Sequence, residues 1–389
     1  MRSVVITGLG LVSSLGNSVQ ATWEGLLDSR RGTQPLTRYK VDLDAIPLVG
    51  QVSESLFALH PCATAALAIH AGREALAQSG LKPCNVSQAA CILGTSVGGM
   101  AASEVAYKDF RQSGQAMPKD ILRQHPASFA AQALASDLGL GGLVTAVTTA
   151  CSSGAGALLL AWHLIRSGQC EVVVAGGADP LCRLTIDGFT ALKVMDQNLA
   201  RPFDLRRSGL NLGEGAGVLV LESSEHALAR GAQPLATLLG ASNTCDAHHG
   251  TAPHPEGRGV KSAFWACLKQ AGCSPQSVQY INAHGTGTLQ NDSTEGQAIV
   301  DVFGGVPVSS IKGALGHTLG ASGGIEAVVS VLSLLHHKAP PSVGCEQKEL
   351  AYLNVITQPT TLPSGSVVLS NSFAFGGNNT CLLFGEWLG

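Results

Sequence analysis

The chain has 389 residues, 45% of them hydrophobic, with only 13% charged and a formal net charge of -3. This suffices for a large core in two or three domains or one duplicated fold. It excludes the broad basic field of a nucleic-acid or membrane-surface binder. From the N-terminus, short β-branched runs alternate with longer Ala/Leu-rich runs: 4–7, then 62–78, 89–93, 142–148, 154–167 and 171–175. That rhythm predicts an α/β protein with a largely buried sheet. The second part repeats it, with strands at 218–222, 234–240, 278–282, 367–370 and 380–384 and helices at 259–271 and 323–336. Two related halves sharing one core are expected, 1–231 and 232–389, divided within 229–233 after a strand and a polar helix. No proline-rich linker or charge block separates them, so they pack intimately.

The apolar run at the N-terminus breaks at Gly8 and lacks the long core of a signal peptide. The apolar stretches 158–165 and 327–335 are too short to span a bilayer. Eleven cysteines occur at irregular spacing without a C-x-x-C pair, and an odd number cannot pair fully within one chain. Reduced thiols in a soluble cytoplasmic protein are the simplest expectation, with a small-molecule or protein-bound substrate.

Three glycine-bearing motifs compete for the chemistry. Gly8-Leu9-Gly10-Leu11-Val12-Ser13 carries two glycines of a dinucleotide fingerprint but serine at the third position, and reads as a tight turn after the opening strand. Gly94-Thr95-Ser96-Val97-Gly98 matches the G-x-S-x-G elbow of serine hydrolases, with Asp246 and His284 following in the required order. It reads otherwise as a backbone turn near a subunit contact.

The third is Thr148-Thr149-Ala150-Cys151-Ser152-Ser153-Gly154, between a strand and a helix of small residues. Free backbone N–H groups and the positive end of a helix dipole stabilise a thiolate at such a junction. The other apolar cysteines, Cys62, Cys91, Cys170, Cys267 and Cys381, read as structural. Cys151 stands apart because of two later histidines. Tyr280-Ile281-Asn282-Ala283-His284-Gly285-Thr286-Gly287-Thr288 places His284 directly after a strand, where α/β sheets hold ligands. Lys312-Gly313-Ala314-Leu315-Gly316-His317 places a lysine and a second histidine in the loop before the 323–336 helix.

Over essentially its whole length the chain resembles the elongating β-ketoacyl-acyl-carrier-protein synthases, in the thiolase-like superfamily. The anchors are Ile6-Thr7-Gly8-Leu9-Gly10, the Cys151 motif, Arg201-Pro202-Phe203-Asp204, Leu212-Gly213-Glu214-Gly215-Ala216-Gly217, the His284 and His317 segments, and Asn371-Ser372-Phe373-Ala374-Phe375-Gly376-Gly377-Asn378. The resemblance implies a thiolase-like fold, two pseudo-duplicated halves in an α-β-α-β-α layering. It implies decarboxylative Claisen condensation of an acyl group on Cys151 with a malonyl-carrier protein, in fatty-acid, type II polyketide or aryl polyene chain elongation. The substrates ride on the phosphopantetheine of an acyl carrier protein, and no cofactor or metal is expected.

The same resemblance implies the roles. Cys151 is the nucleophile, His284 and His317 donate to the malonyl thioester oxygen, and the N–H groups of Cys151 and Phe375 form the oxyanion hole. Phe375 also gates the site. Lys312 is expected to pair with Glu295, and with Asp292 beside it, to position the histidine loops, unless that bridge is purely structural. Thr286 and Thr288 bind the pantetheine arm, and Phe373, Leu210 and Asn211 line the substrate path. A second catalytic cysteine, required of a thiolase, is absent from the C-terminal loop. His317 stands where priming synthases carry asparagine.

Two departures stand out. Leu210-Asn211 replaces a phenylalanine-valine pair facing the acyl channel, and the 56–61 segment lacks the basic cluster that grips carrier proteins. Docking is then expected from Arg111, Lys119, Arg123, Arg206 or Arg207, each of which reads equally as a solvated surface charge. The expected assembly is a homodimer joined at a sheet edge, or a heterodimer with a chain-length-factor-like homologue. The competing reading from another class is a non-catalytic, channel-shaping subunit; it requires loss of Cys151 or a histidine.

Overall fold

The computed structural model describes residues 2–41 and 45–389; Met1, which opens the first expected half, lies outside them. Ten strands form one mixed sheet: β1 (Val4–Val12), β2 (Ala90–Gly94), β3 (Val144–Val147), β4 (Val172–Asp179), β5 (Gly215–Ser223), β6 (Ala236–Cys245), β7 (Tyr280–Asn282), β8 (Val308–Ser309), β9 (Val367–Ala374) and β10 (Asn378–Glu386). Their order is β8-β7-β9-β10-β6-β1-β5-β4-β2-β3. Counted within its own half, each set of five runs third, second, fourth, fifth, first from its edge inward. The pairing senses also agree: β3/β2 and β2/β4 are parallel and β4/β5 and β5/β1 antiparallel. In the second half β8/β7 and β7/β9 are parallel and β9/β10 and β10/β6 antiparallel. The duplication is therefore written in the topology, and only Val5↔Thr237 and Ile6↔Ala236 join the halves across β1 and β6.

Six helices pack on this sheet and around the site: α1 (Ala63–Ser79), α2 (Ser153–Arg166), α3 (Arg183–Ala191), α4 (Arg258–Ala271), α5 (Leu289–Phe303) and α6 (Ser322–Leu335). One apolar cluster joins β2, β4 and β5 to α1 on an outer face. A second joins β7, β9 and β10 to α4 and α5 on the other. The largest lies between, where α2 and α6 are sandwiched with Trp162, Ile325, Val328 and Val329 buried. The result is the five-layer α-β-α-β-α stack. The apolar stretches at 158–165 and 327–335 are thus central core helices; among the described residues no helix is long and apolar enough to cross a membrane.

Two groups of glycines are set by close approach. Gly8 and Gly10 lie inside β1, which continues to Val12, rather than in a turn after it. A Cβ on Gly10 would sit 1.7 Å from the Ala71 carbonyl oxygen and one on Gly8 2.0 Å from that of Ala75, so both let α1 lie directly on the strand. The motif that resembled a nucleotide fingerprint is a packing device. At the centre, a Cβ on Gly154 would come within 2.7 Å of the Gly324 nitrogen, and one on Gly323 within 2.4 Å of the Ala155 nitrogen. Backbones of α2 and α6 therefore meet at their first turns, bringing together the segments just before them, which carry Cys151 and His317.

Candidate active site

Cys151 lies between β3 and α2, 5% exposed, after Ala150 at φ +49°. Such a φ is rare outside glycine and is held only where the surroundings fix it. Burial pushes the Cys151 thiol up to about 11, opposed by the backbone N–H of Phe375, the Lys312 charge and the residue's own N–H, and reinforced by Asp179. The expectation of a thiolate stabilised by the helix start is corrected here: desolvation outweighs it, and the resting group is a thiol. The backbone N–H groups of Phe375 and Cys151, expected to form an oxyanion hole, are the backbone groups that oppose this rise.

His284 follows β7. Its backbone N–H donates to Glu295 Oε1 at 2.8 Å, and that of Gly285 to Oε2 at 2.7 Å. The Lys312 ammonium lies 3.3 Å from His284 Nδ1 and donates to the His284 carbonyl at 2.6 Å. An ammonium only donates, so Nδ1 accepts and the ring proton resides on Nε2. His317 reaches the same state differently: the Leu319 N–H donates to its Nδ1 at 3.3 Å, with Ser322 Oγ at 3.1 Å. Its backbone is fixed by donation to the Asn211 carbonyl at 2.7 Å. The rings stand 5.3 Å apart with planes at 86°. Both imidazoles are held well below the ordinary histidine value, by burial first and then by the Lys312 charge. They are neutral Nε2–H donors.

The partner of Lys312 is Glu326 on α6, fully buried and in direct contact with Nζ, rather than Glu295 or Asp292. Burial raises the Glu326 carboxyl to about 7 against the pull of Lys312. Glu295 is taken by the His284 and Gly285 amides and by Asn371 Nδ2 at 3.1 Å. Asp292 accepts from Phe203 N–H at 2.8 Å and from Gly287 N–H. Both acids shape the histidine loop through its backbone. Sequence reasoning missed Glu326, although a single carboxylate in the apolar run of α6 signals a buried partner.

A cavity of about 360 Å³ opens over Cys151, His284 and His317, and Thr286, Thr288, Leu210, Phe373 and Phe375 border it. The Thr286 and Thr288 hydroxyls bond each other at 2.9 Å. Phe373 packs 6.0 Å from the His284 ring, and Phe375 stacks on Phe189 of α3 at 5.6 Å. Lys193, at φ +57° and exposed, also borders the cavity; nothing in its local sequence marked it.

Three expectations are corrected. Asn211 does not face the channel: its Oδ1 accepts from Ala200 N–H at 2.7 Å, and its Nδ2 donates to the Asn198 and Asp196 carbonyls. Arg207 is buried against Glu349 at 2.6 Å and cannot meet a partner surface. The Ser96 hydroxyl donates to the Ala150 carbonyl at 3.0 Å, while Asp246 accepts from His254 N–H and Asn379 Nδ2, so no hydrolase triad forms.

A duplicated thiolase-like fold with a cysteine and two neutral histidines around one cavity defines a ketosynthase-type acyltransferase. The family model "Beta-ketoacyl synthase, N-terminal domain" matches residues 1–227 and "Beta-ketoacyl synthase, C-terminal domain" matches 235–346. The chain belongs to the β-ketoacyl synthase family. It is 34% identical to a 3-oxoacyl-[acyl-carrier-protein] synthase 2 of Synechocystis sp., covering 99% of this chain and 98% of that one. It is 35% identical to the synthase 2 of Staphylococcus aureus, covering 98% of each. Among solved structures, the ishigamide ketosynthase/chain length factor superposes with a TM-score of 0.94 at 33% identity over 99% of both chains. A type II PKS ketosynthase, solved with its acyl-carrier protein and bound to the hexaketide, gives 0.91 at 29% identity over 99% of both.

Proposed function

We propose that the protein elongates acyl chains by decarboxylative condensation, with Cys151 as nucleophile and His284, His317 and Lys312 completing the catalytic set. The observation that carries this reading is the pair of imidazoles whose Nδ1 atoms both accept, leaving two Nε2–H donors beside one cysteine. In acyl transfer the Cys151 sulfur attacks the thioester carbonyl of the acyl-carrier protein. The oxyanion is met by the N–H groups of Cys151 and Phe375, the carrier's pantetheine sulfur departs, and the cysteine proton leaves with it.

In the second stage a malonyl thioester places its carbonyl oxygen against the two Nε2–H groups. Its carboxylate leaves as carbon dioxide, and the electron pair of the broken C–C bond becomes an enolate. The enolate carbon attacks the acyl-Cys151 carbonyl. The Cys151–acyl bond breaks, β-ketoacyl product remains on the carrier, and the sulfur departs as thiolate and takes up one proton from solvent. Each histidine donor contributes ~3 kcal/mol to the developing charge, about a hundredfold in rate. Neutral imidazoles suit this step, because they donate without having to give up a proton. Lys312, anchored by Glu326, fixes the His284 tautomer. Glu295 and Asp292 support the loop, and Thr286 and Thr288 hold the pantetheine arm.

The carrier partner is an acyl carrier protein with its substrates on phosphopantetheine, and its approach is to the cavity mouth at exposed Lys193 rather than at Arg207. A homodimer, or a heterodimer with a chain-length-factor-like homologue, completes the assembly. The division into halves is placed at residues 231 and 232, supported by the repeated strand order. Eleven free cysteines support a reducing, cytoplasmic setting. The test is incubation with malonyl-loaded carrier and a panel of acyl carriers, followed by mass analysis. A β-ketoacyl carrier two carbons longer is expected, and its absence with every acyl donor would reject the reading.

A further inference from the structure

We infer that Asp179, at the end of β4, is the positioning residue that sets the separation of Cys151 from His317; the inference rests on the catalytic reading of those two residues. Its carboxylate is wholly buried, and each hydrogen-bond partner is a backbone N–H or a hydroxyl. In the first half it accepts from Thr95 Oγ1, from Ser96 N–H at 2.8 Å and from Val97 N–H at 3.1 Å. From the second half it accepts Gly320 N–H at 2.7 Å. One side chain thus clamps the loop after β2 to the turn that starts α6.

Each clamped segment is one link from a reacting group. Ser96 Oγ donates to the carbonyl of Ala150, the residue before Cys151. Gly320 adjoins Leu319, whose N–H holds His317 Nδ1. Ala150 at φ +49° and Leu319 at φ +52° are both in the left-handed region, a strained state for residues with a Cβ that persists only when neighbours enforce it. Asp179 enforces the Leu319 turn through Gly320, while at Ala150 Ser96 Oγ shares the carbonyl with Ser153 Oγ at 2.6 Å and Ser153 N–H at 3.0 Å, so Ser96 is the contact that ties this turn to the clamp. A Cβ on Gly320 would lie 2.7 Å from Asp179 Oδ2 and 2.7 Å from the Ser96 nitrogen, so the glycine is what permits the clamp.

Electrostatics argues that the role is geometric. The Asp179 charge opposes thiolate formation at Cys151, so a carboxylate here is unfavourable for nucleophile activation. Asparagine would match its shape and remove the charge. It would also turn an NH₂ group toward backbone N–H donors, breaking one side of the clamp.

The deciding variant is Asp179→Asn in the full chain, with three readouts: alkylation of Cys151 by iodoacetamide, decarboxylation of malonyl-carrier protein, and condensation. The clamp predicts alkylation at least as fast as wild type, with decarboxylation and condensation both lowered roughly tenfold to hundredfold. Condensation within about twofold of wild type overturns the inference, as does a parallel loss of alkylation, decarboxylation and thermal stability. If Asp179→Asn does not fold, Ser96→Ala takes its place. It removes only the hydroxyl link to Ala150, and must slow acylation of Cys151 by at least about fivefold without lowering the melting temperature; unchanged acylation overturns the inference. A wild-type protein that makes no β-ketoacyl product would overturn the catalytic reading instead.

Discussion

His284 and His317 meet edge to face, with centroids 5.3 Å apart, and each ring has its Nδ1 committed as an acceptor. The two Nε2–H groups are therefore fixed before substrate arrives. Replacing either histidine by alanine should reduce malonyl decarboxylation by about 10²–10³-fold. The double variant should fall little further, because the pair acts as a unit. Decarboxylation rates measured with radiolabelled malonyl carrier would contradict this if the single losses were below about threefold.

The neutrality of both rings has a pH signature. Their folded values lie well below 6.5, so kcat/KM should show no histidine break near pH 6.5. Stability behaves differently. The unfolded chain takes up protons on these residues below about 6.5 while the folded one does not, so their contribution is present above that pH and is lost as pH falls. A pH–rate profile and urea unfolding at two or three pH values separate these effects. Because the Glu326 carboxyl itself stands at about 7, the deciding result is a rate limb centred on 6.5 that persists in Glu326→Gln, which would argue against neutral donors.

Cys151 should alkylate slowly in the resting protein. With the thiol raised to about 11, the iodoacetamide rate should keep climbing beyond pH 9, instead of levelling near the ~8.5 of a free cysteine. Stopped-time alkylation read by intact mass gives the curve. A plateau below pH 8 would mean that the helix start prevails over burial.

Glu326→Ala would leave the Lys312 ammonium buried without its counter-charge. The expected destabilisation is about 3–5 kcal/mol by denaturant unfolding, whereas Glu295→Ala, which orphans the His284 and Gly285 N–H groups, should cost less, about 1–3 kcal/mol, and lower the rate by loosening the His284 backbone. Equal losses of stability in the two variants would refute this division.

Leu210 and Asn211 should separate in the same way. Asn211→Ala removes the partner of the Ala200 N–H and is expected to lower stability by about 1–3 kcal/mol without changing acyl preference. Leu210→Phe, on the cavity wall, should discriminate against longer acyl donors by roughly tenfold with stability little changed. Competition between acyl carriers of different length is the measurement.

The site was legible in the sequence where chemistry and local position coincide. Cys151 at a strand-to-helix junction and His284 directly after β7 needed only short motifs. Lys312 was visible too, but its partner was not: Glu326 lies fourteen residues on, and only the sandwiching of α6 between the two halves of the sheet sets it under Nζ. Gly8 and Gly10 suggested a turn because sequence shows a missing side chain and not the helix that fills its place. Asn211 and Arg207 misled for a related reason. Polarity was evident, while their burial depended on turns and helices from distant parts of the chain. The duplication was faint in residue identity and plain in strand order, since topology persists where side chains do not.

The most direct test of the central claim is intact-mass analysis of wild type and Cys151→Ala after exposure to an acyl-carrier protein, followed by addition of malonyl-carrier protein. An acyl adduct is expected on wild type alone, localised to Cys151, and is discharged as β-ketoacyl carrier when malonyl carrier is added. A Cys151→Ala protein that still forms the adduct and the β-ketoacyl product would contradict it.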